Sequence, residues 1–195
     1  MKLISSLILA SVTSVQAATY TYNMSADNDM TLYSSNLIGS TLTEHFNQTA
    51  NWSVANTGSF VSFENYIYVV GMDYGSVGSF AGFINTIDVS TVPWELSSNV
   101  ASALTGYTGS TTLYNPPIAD VATLIPTETF TPAAIYTGGA GIGIPGVTNG
   151  ITIPDDSSAY IFRSRVTNFE NVPEPSTVLL GFGAVTLALF RRRRA

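Results

Sequence analysis

Short segments that alternate apolar and polar residues, separated by turn residues, fill the middle of the chain. The clearest alternation is near its end, where Tyr160 and Phe162 alternate with Arg163 and Arg165. A period of two is typical of a strand with one buried face, so the aromatic residues should face a core and the arginines should face water. The same texture predicts strands over Thr19–Met24, Met30–Ser34, Leu37–Thr43, Asn51–Val54, Phe60–Met72, Ser79–Val89 and Ser158–Phe169.

Helices should be few and short, because no stretch of this middle region keeps a 3.6-residue period. Residues 97–157 hold six prolines and the glycine-rich stretch 138–143. That composition predicts long loops with at most one short helical turn. The middle region is therefore expected to be one all-β domain, a sandwich or a barrel.

Residues 1–17 have the pattern of a secretory signal peptide. Lys2 precedes the apolar segment Leu3–Val12, and small residues lie three positions and one position before Ala18. This predicts an N-terminal signal helix and cleavage by signal peptidase between Ala17 and Ala18. The alternative is a buried N-terminal helix.

The C-terminal end combines an apolar run with a basic cluster. The fifteen residues 176–190 would form a helix of about 22 Å, shorter than the hydrocarbon core of about 30 Å. This predicts a short transmembrane helix that anchors poorly. The arginines that follow should stay cytoplasmic, which places the bulk of the chain outside the cytoplasm. They are Arg191, Arg192, Arg193 and Arg194.

The tripeptide Pro173, Glu174 and Pro175, followed by the apolar run and the arginine cluster at the chain end, resembles the PEP-CTERM sorting signal of Gram-negative bacteria. In that family a membrane-embedded exosortase recognises the signal and removes the tail. The protein then reaches the cell surface, usually in bacteria that make exopolysaccharide. The resemblance implies a precursor held transiently in the inner membrane, and it divides the chain into a signal peptide (1–17), an ectodomain (18–172) and a sorting signal (173–195). The alternative is a plain single-pass anchor.

A second resemblance concerns the middle region. The segments 26–33, 65–75 and 81–83 are similar to stretches of galactose-binding-like jelly-roll domains, with Ser34-Ser35-Asn36 in place of their usual Asn-Gly turn. The resemblance implies a jelly-roll-like antiparallel β-sandwich. That family includes carbohydrate-binding modules, but a fold alone does not name a ligand.

Charge narrows the range of partners. Between Ala18 and Val172 the cations are Arg163 and Arg165, against twelve acidic residues, which gives a net charge of −10. Nucleic-acid binding by this span is excluded, because that affinity comes mostly from cations on phosphates. The chain has no cysteine, so thiolate metal sites and cysteine nucleophiles are excluded as well.

Catalytic motifs are absent from the sequence. His45 is the sole histidine and is expected at a strand end or in a loop. Paired carboxylates could support glycoside hydrolysis, but nothing in the sequence singles out one pair. The chain is therefore expected not to be an enzyme, with an uncharacterised hydrolase as an alternative.

Two groups of residues could bind a ligand. Asp27 and Asp29 are weak Ca²⁺ candidates because hard oxygen ligands suit that ion, but a turn capped by Asx side chains is favoured, so no metal or cofactor is expected. Four aromatic residues in loop-like contexts could stack on sugar rings, although packing roles are favoured for them too. They are Trp94, Tyr107, Tyr114 and Tyr136, whereas Trp52 and Tyr66–Tyr68 should lie in the core.

The sequence thus favours a secreted, exosortase-sorted structural or binding module at the cell surface or in the extracellular matrix. The first alternative is a carbohydrate-binding protein that recognises exopolysaccharide. Exposed coplanar aromatic rings would favour that alternative, whereas two close carboxylates in a cleft would favour the hydrolase.

Overall fold

A computed structural model describes residues 18–35, 41–48, 53–62, 65–75, 78–109, 114–137 and 143–170. In these ranges two antiparallel sheets pack face to face, which confirms the predicted β-sandwich. The elements are β1 (Ala18–Asp27), β2 (Asp29–Ser35), β3 (Thr43–Asn47), β4 (Asn56–Ser62), β5 (Tyr66–Asp73), β6 (Gly78–Ile84), β7 (Ile87–Asp88), β8 (Glu95–Asn99), α1 (Ile118–Leu124), β9 (Thr131–Pro132), β10 (Ile135–Tyr136), β11 (Gly150–Ile153) and β12 (Ser158–Arg165).

Sheet A has the strand order β10-β11-β6-β1-β4, with β7 paired to the end of β6, and sheet B has the order β3-β2-β5-β12-β8-β9. The chain passes repeatedly between the sheets, as in a jelly roll. It crosses from β1 to β2 through the single residue Asn28, after a cis Asp27–Asn28 peptide bond. Strand β12 pairs with β5 on one side and β8 on the other, so it lies inside sheet B.

The main core lies between the two sheets. Along β1, Tyr20 and Met24 are buried while Thr19 and Thr21 are exposed, as a half-buried strand requires. Phe80 of sheet A meets Phe162 of sheet B edge to face at 5.0 Å between ring centroids. The burial of Phe162 confirms the predicted orientation of β12.

A second core covers the outer face of sheet B. The outward side chains Ala159 and Ile161 of β12 are fully buried. They pack with Leu104 and with Val121 and Ile125 from the helix α1 region. We call residues 100–109 and 114–130 the cover segment. Because of it, β5 and the first five residues of β12 are buried on both faces.

The outer face of sheet A is different. Thr19, Thr21, Thr57 and Ser59 project from it and are exposed. Val61, on the same face, is 56% exposed. This face is a neutral, hydroxyl-bearing surface along β1 and β4.

Both ends of the described domain lie at one pole. At the N-terminal end, Ala18 pairs with Ser62, the last residue of β4. At the C-terminal end of β12, Arg165 pairs with Tyr66, the first residue of β5, and only a short connection separates Ser62 from Tyr66 in the sequence. The hydroxyl of Tyr20 donates a 3.1 Å hydrogen bond to Glu170 Oε1. We call this end the terminal pole and the opposite end, with the β1–β2 crossing, the distal pole.

Several predicted strand bounds are wrong. Residues 53–54 form a turn, and the strand begins at Asn56 instead of ending at Val54. Residues 60–72 form parts of two strands, β4 and β5, that belong to different sheets. The segment 79–89 is interrupted at Asn85, whose φ of 55° permits a tight turn.

Two further expectations need correction. Of the predicted strand 37–43, the described part begins a strand at Thr43, and residues 36–40 lie outside the described ranges. The described parts of residues 97–157 contain more secondary structure than predicted, namely α1 and the short strands β9, β10 and β11. The few short helices expected from the sequence are observed in the described residues.

The signal peptide 1–17 and the sorting signal 173–195, with its helix 176–190, lie outside the described residues. Within the described part of the chain, no helix has the length and apolarity needed to cross a membrane.

Candidate functional site

The turn that joins β1 to β2 at the distal pole is held by amide side chains. Asn28 Oδ1 accepts a 2.8 Å hydrogen bond from the backbone N–H of Tyr74, and Asn28 Nδ2 donates to Asp27 Oδ1 at 2.9 Å. The buried Gln48 exchanges hydrogen bonds with both backbone groups of Ala26 and donates to the carbonyl of Asn28. These contacts are those of a turn fixed by Asx side chains.

Asp29 is buried beneath the cover segment. Its Oδ2 accepts hydrogen bonds from the Tyr74 hydroxyl at 2.6 Å and from the Tyr114 backbone N–H at 2.9 Å. Its Oδ1 is buried and has no hydrogen-bond partner among the described residues. Burial raises the pKa of Asp29, and the two hydrogen bonds oppose that rise.

Tyr107 and Tyr114 come together with Tyr74 above Asp29. The ring centroids of Tyr74 and Tyr107 are 5.9 Å apart, and those of Tyr107 and Tyr114 are 5.5 Å apart at an interplanar angle of 65°. Tyr107 donates to the carbonyl of Ser158 at 2.7 Å, and Tyr114 donates to the carbonyl of Thr105 at 2.6 Å. Burial raises the pKa of Tyr107 to about 12. The half-buried rings are not coplanar, so they are suited to packing rather than to a flat sugar platform.

Asp73 completes the acidic group at the distal pole. It accepts hydrogen bonds from the N–H groups of Gly75 at 3.1 Å and Gly78 at 3.0 Å, which closes the turn from β5 to β6. Burial raises its pKa, with smaller contributions from the charges of Asp156 and Asp27. No three His, Cys, Asp or Glu residues within the described ranges are placed to hold a metal ion.

The other two aromatic candidates lie apart from this cluster. Trp94 is 4% exposed, and its indole Nε1 donates to the carbonyl of Val89 at 2.9 Å. The ring packs against Phe80 in the main core, which is the packing role that the sequence favoured over sugar stacking. Tyr136 is half-buried in the edge strand β10. Tyr66–Tyr68 are buried as predicted, and Trp52 lies outside the described residues.

His45 lies within β3 rather than at a strand end. Its Nε2 is 2.9 Å from Ser34 Oγ, and its ring stacks on Phe60 at 4.0 Å between centroids. Burial lowers the pKa of His45 to about 4, so the ring is neutral at pH 7. Ser34 is itself buried, which leaves a substrate no access to this hydroxyl.

A feature that the sequence analysis did not single out lies at the terminal pole. Two adjoining cavities of about 320 and 280 Å³ share Tyr66 and Arg165 in their walls. Arg163 Nε donates to Glu95 Oε2 at 2.6 Å, and its guanidinium lies 3.9 Å from the Phe130 ring centroid. Arg163 is therefore half-covered rather than facing water, whereas Arg165 is exposed as predicted. The available signal was the spacing of the two arginines, which puts both on one strand face.

A family model described as the PEP-CTERM protein-sorting motif matches residues 171–194. Comparisons with curated proteins and with solved structures give no match, so the galactose-binding-like resemblance stays a prediction. The matched segment begins one residue after the described domain ends, and it contains Pro173, Glu174 and Pro175. The predicted sorting signal is confirmed.

Proposed function

We propose that this chain, a PEP-CTERM protein that an exosortase sorts to the cell surface or the extracellular space, is a non-catalytic module that associates with exopolysaccharide. The observation that supports the non-catalytic part of this proposal is that the carboxylates of the domain are engaged in structural hydrogen bonds. In the described domain almost all of them accept hydrogen bonds that hold the fold together, which leaves few for chemistry.

These bonds mostly go to backbone N–H groups or to buried hydroxyls. Glu128 accepts from the backbone N–H of Ser98 at 3.1 Å, and Asp120 accepts from that of Thr105 at 2.7 Å. The carboxylates engaged in this way or in an ion pair or side-chain hydrogen bond are Asp27, Asp29, Asp73, Asp88, Glu95, Asp120, Glu128, Asp155 and Glu170.

The two remaining acids of the described residues do not form a catalytic pair. Glu44 is exposed on the edge strand β3, and Asp156 is exposed in the turn before β12. A glycosidase needs two carboxyl groups roughly 5–10 Å apart across a bound sugar. The observed distribution of acids favours a binding or structural role over the hydrolase alternative.

The tyrosine cluster does not support sugar stacking as the mode of binding. The hydroxyls of Tyr74, Tyr107 and Tyr114 are all engaged by the protein. The cluster instead fastens the cover segment to sheet B. Polysaccharide binding therefore depends on another surface of the module.

The test uses the mature protein collected from its host. It is mixed with exopolysaccharide purified from the same culture, and both co-sedimentation and the release of reducing ends are measured. We expect co-sedimentation without new reducing ends. Release of reducing ends would establish the hydrolase alternative, and failure to co-sediment would refute the association with exopolysaccharide.

The membrane-anchored precursor is tested separately. Deleting Arg191–Arg194, or replacing Pro173, Glu174 and Pro175 with alanine, should leave an unprocessed form in the inner membrane, because the exosortase signal is then incomplete. Mass spectrometry and membrane fractionation measure the outcome. An unchanged mature mass and surface location would refute this route.

A further inference from the structure

Both cations of the described domain lie at one place. Arg163 and Arg165 point from the same face of β12, where the cover segment ends at the terminal pole. Their guanidinium carbons lie 5.5 and 5.6 Å from the ring centroid of Tyr66. Glu95 pairs with Arg163, whereas the described residues provide no ion-pair partner for Arg165. Among the described residues the site therefore keeps one unpaired positive charge, in a span that carries −10.

The walls around Arg165 are fixed by hydrogen bonds. The backbone N–H of Val166 donates to the carbonyl of Asn65 at 3.1 Å, which ties the end of β12 to the start of β5. Ser164 Oγ donates to the carbonyl of Pro93 at 2.8 Å and accepts from Asn168 Nδ2 at 2.9 Å. A cavity with tied walls loses little conformational entropy when a ligand binds.

We propose that this cavity, which we call the Arg165 pocket, binds a carboxylate-bearing sugar unit of an acidic polysaccharide. The proposal rests on the proposed function, since it names the class of exopolysaccharide that the module recognises. A guanidinium presents a planar fork that matches a carboxylate with two parallel hydrogen bonds. The Arg165 fork is exposed, and no carboxylate of the described ranges pairs with it.

The rest of the lining suits a polyol ring. Asn168, Thr167 and Asn65 line the two adjoining cavities, and their amide and hydroxyl side chains include both hydrogen-bond donors and acceptors. Together the cavities are large enough for one or two sugar units, since ligand sites run from about 300 Å³ upwards. Tyr66 is 8% exposed beneath the arginines, so a sugar would lie against the guanidinium groups and not on the Tyr66 face.

The net charge of the domain gives this pocket its selectivity. A polyanion is repelled by the acidic surface elsewhere, including the distal pole with Asp27, Asp73 and Asp156. A carboxylate is stabilised at Arg165 alone among the described surfaces, because the charge of Arg163 is offset by Glu95. Binding should therefore depend on the carboxylate and weaken as salt screens the Arg165 charge.

The experiment titrates the full chain, in non-ionic detergent micelles at low salt, with trigalacturonate and with its methyl ester. The ester is a neutral ligand of nearly the same shape. Arg165→Gln removes the charge, Arg165→Lys keeps the charge without the fork, and Thr57→Asp is a control that changes the net charge equally on the open face of sheet A.

We expect the wild-type chain to bind the acid at least about tenfold more tightly than the ester, because a charge-assisted pair contributes about 1.5–3 kcal/mol. Arg165→Gln should lose about tenfold in affinity for the acid, and Arg165→Lys should lose less. Thr57→Asp should stay within about twofold, since Thr57 lies on the outer face of sheet A away from the terminal pole, and a single charge there acts only weakly through water. Equal binding of acid and ester, no binding of either, or an unchanged Arg165→Gln variant would overturn the pocket assignment.

The same variants separate this inference from the proposed function. If the wild-type chain and Arg165→Gln both co-sediment with host exopolysaccharide equally, the module binds polysaccharide elsewhere and the pocket assignment fails alone. If trigalacturonate binds through Arg165 but host exopolysaccharide does not co-sediment, the pocket assignment holds and the proposed function fails.

Discussion

The outer faces of the two sheets differ in their exposure to solvent. The outer face of sheet B is sealed by the cover segment, so that Ile161 and Val70 are fully buried on it. The outer face of sheet A carries Thr21 and Thr57, which are exposed. Sheet B therefore packs against core residues on both of its faces. The outer face of sheet A is exposed along β1 and β4 and is covered at Ala81 of β6, which packs with Val147.

The residue patterns of the strands account for this difference. Strand β1 alternates, as expected for one wet face, whereas β5 reads Tyr-Ile-Tyr-Val-Val-Gly-Met without a polar break. A strand without polar alternation is buried on both faces. The cover also ends at a defined place, because Phe130 stacks on Arg163 and leaves Arg165 open beside it. The Arg165 pocket thus lies at the border between the two kinds of surface.

The largest expected loss comes from the core that both sheets share. Phe162→Ala should lower the free energy of unfolding by about 3–5 kcal/mol, because a fully buried ring is replaced by a cavity. Chemical denaturation followed by circular dichroism measures the change. A loss below about 1 kcal/mol would mean that the sheets do not pack around Phe162.

The next loss tests whether the cover segment belongs to the same folding unit. Ile125 belongs to the cover segment, is 3% exposed and packs on the outer face of sheet B. Ile125→Ala should cost about 2–4 kcal/mol with one cooperative transition, as expected for a buried isoleucine. A separate early transition, or a loss near zero, would show that the cover detaches before the sandwich unfolds.

Asp29 tests how the cover is fastened. Asp29→Ala leaves the Tyr74 hydroxyl and the Tyr114 N–H without their acceptor, which should cost about 1–3 kcal/mol. Asp29→Asn keeps an acceptor and should cost less.

Melting in Ca²⁺, Mg²⁺ or Na⁺ at matched ionic strength serves as the control for Asp29. We expect nearly the same melting temperature in all three, since Asp29 is a structural anchor. A large rise with Ca²⁺ alone, lost in Asp29→Asn, would instead identify a metal site.

Much of the sandwich could be predicted, because alternation marks β1 and β12 directly. The cover could not, since proline and glycine in residues 97–157 indicate loops whether those residues cross solvent or seal a sheet. The feature that indicates the cover is the uninterrupted apolar run of β5, because a strand without polar residues must be covered on both faces. For Trp94 the sequence left packing and sugar stacking both open, because a loop-like neighbourhood does not reveal whether a ring turns inward to meet Phe80.

The Arg165 pocket was beyond prediction for another reason. Its walls come from segments that are far apart in sequence, including Asn65, Pro93 and Asn168. The spacing of Arg163 and Arg165 predicts that both lie on one face of the strand. It does not show that Glu95 pairs with Arg163 and leaves Arg165 unpaired among the described residues. Which charged side chains pair across neighbouring strands depends on strand order and register, and these are set by the fold.

A smaller effect is expected at the edge of the main core, where His45 stacks on Phe60. The pKa of His45 is about 4 in the fold and about 6.5 when unfolded. Between these values the unfolded state binds more protons, so the free energy of unfolding should fall as pH falls from about 6.5 to 4. Burial raises the pKa of Asp73 and of Asp29, which opposes this trend.

The comparison with His45→Gln isolates the histidine, because both acids are present in each protein. The variant should lack the His45 part of the slope, and denaturation at several pH values measures it. Equal slopes in the two proteins would show that His45 is charged or exposed in the fold.

The smallest change in the free energy of unfolding is expected on the exposed outer face of sheet A, along β1 and β4. Thr57→Ala removes a hydroxyl and a methyl group that contact mainly water, so the free energy of unfolding should change by less than about 0.5 kcal/mol. Ile161→Ala is the matched outward position on sheet B and should cost about 2–5 kcal/mol. The ratio of the two losses measures the contrast between the faces directly. A loss above about 1 kcal/mol at Thr57 would mean that this face is covered in solution, and a strong protein-concentration dependence of that loss would identify a second copy of the chain as the cover.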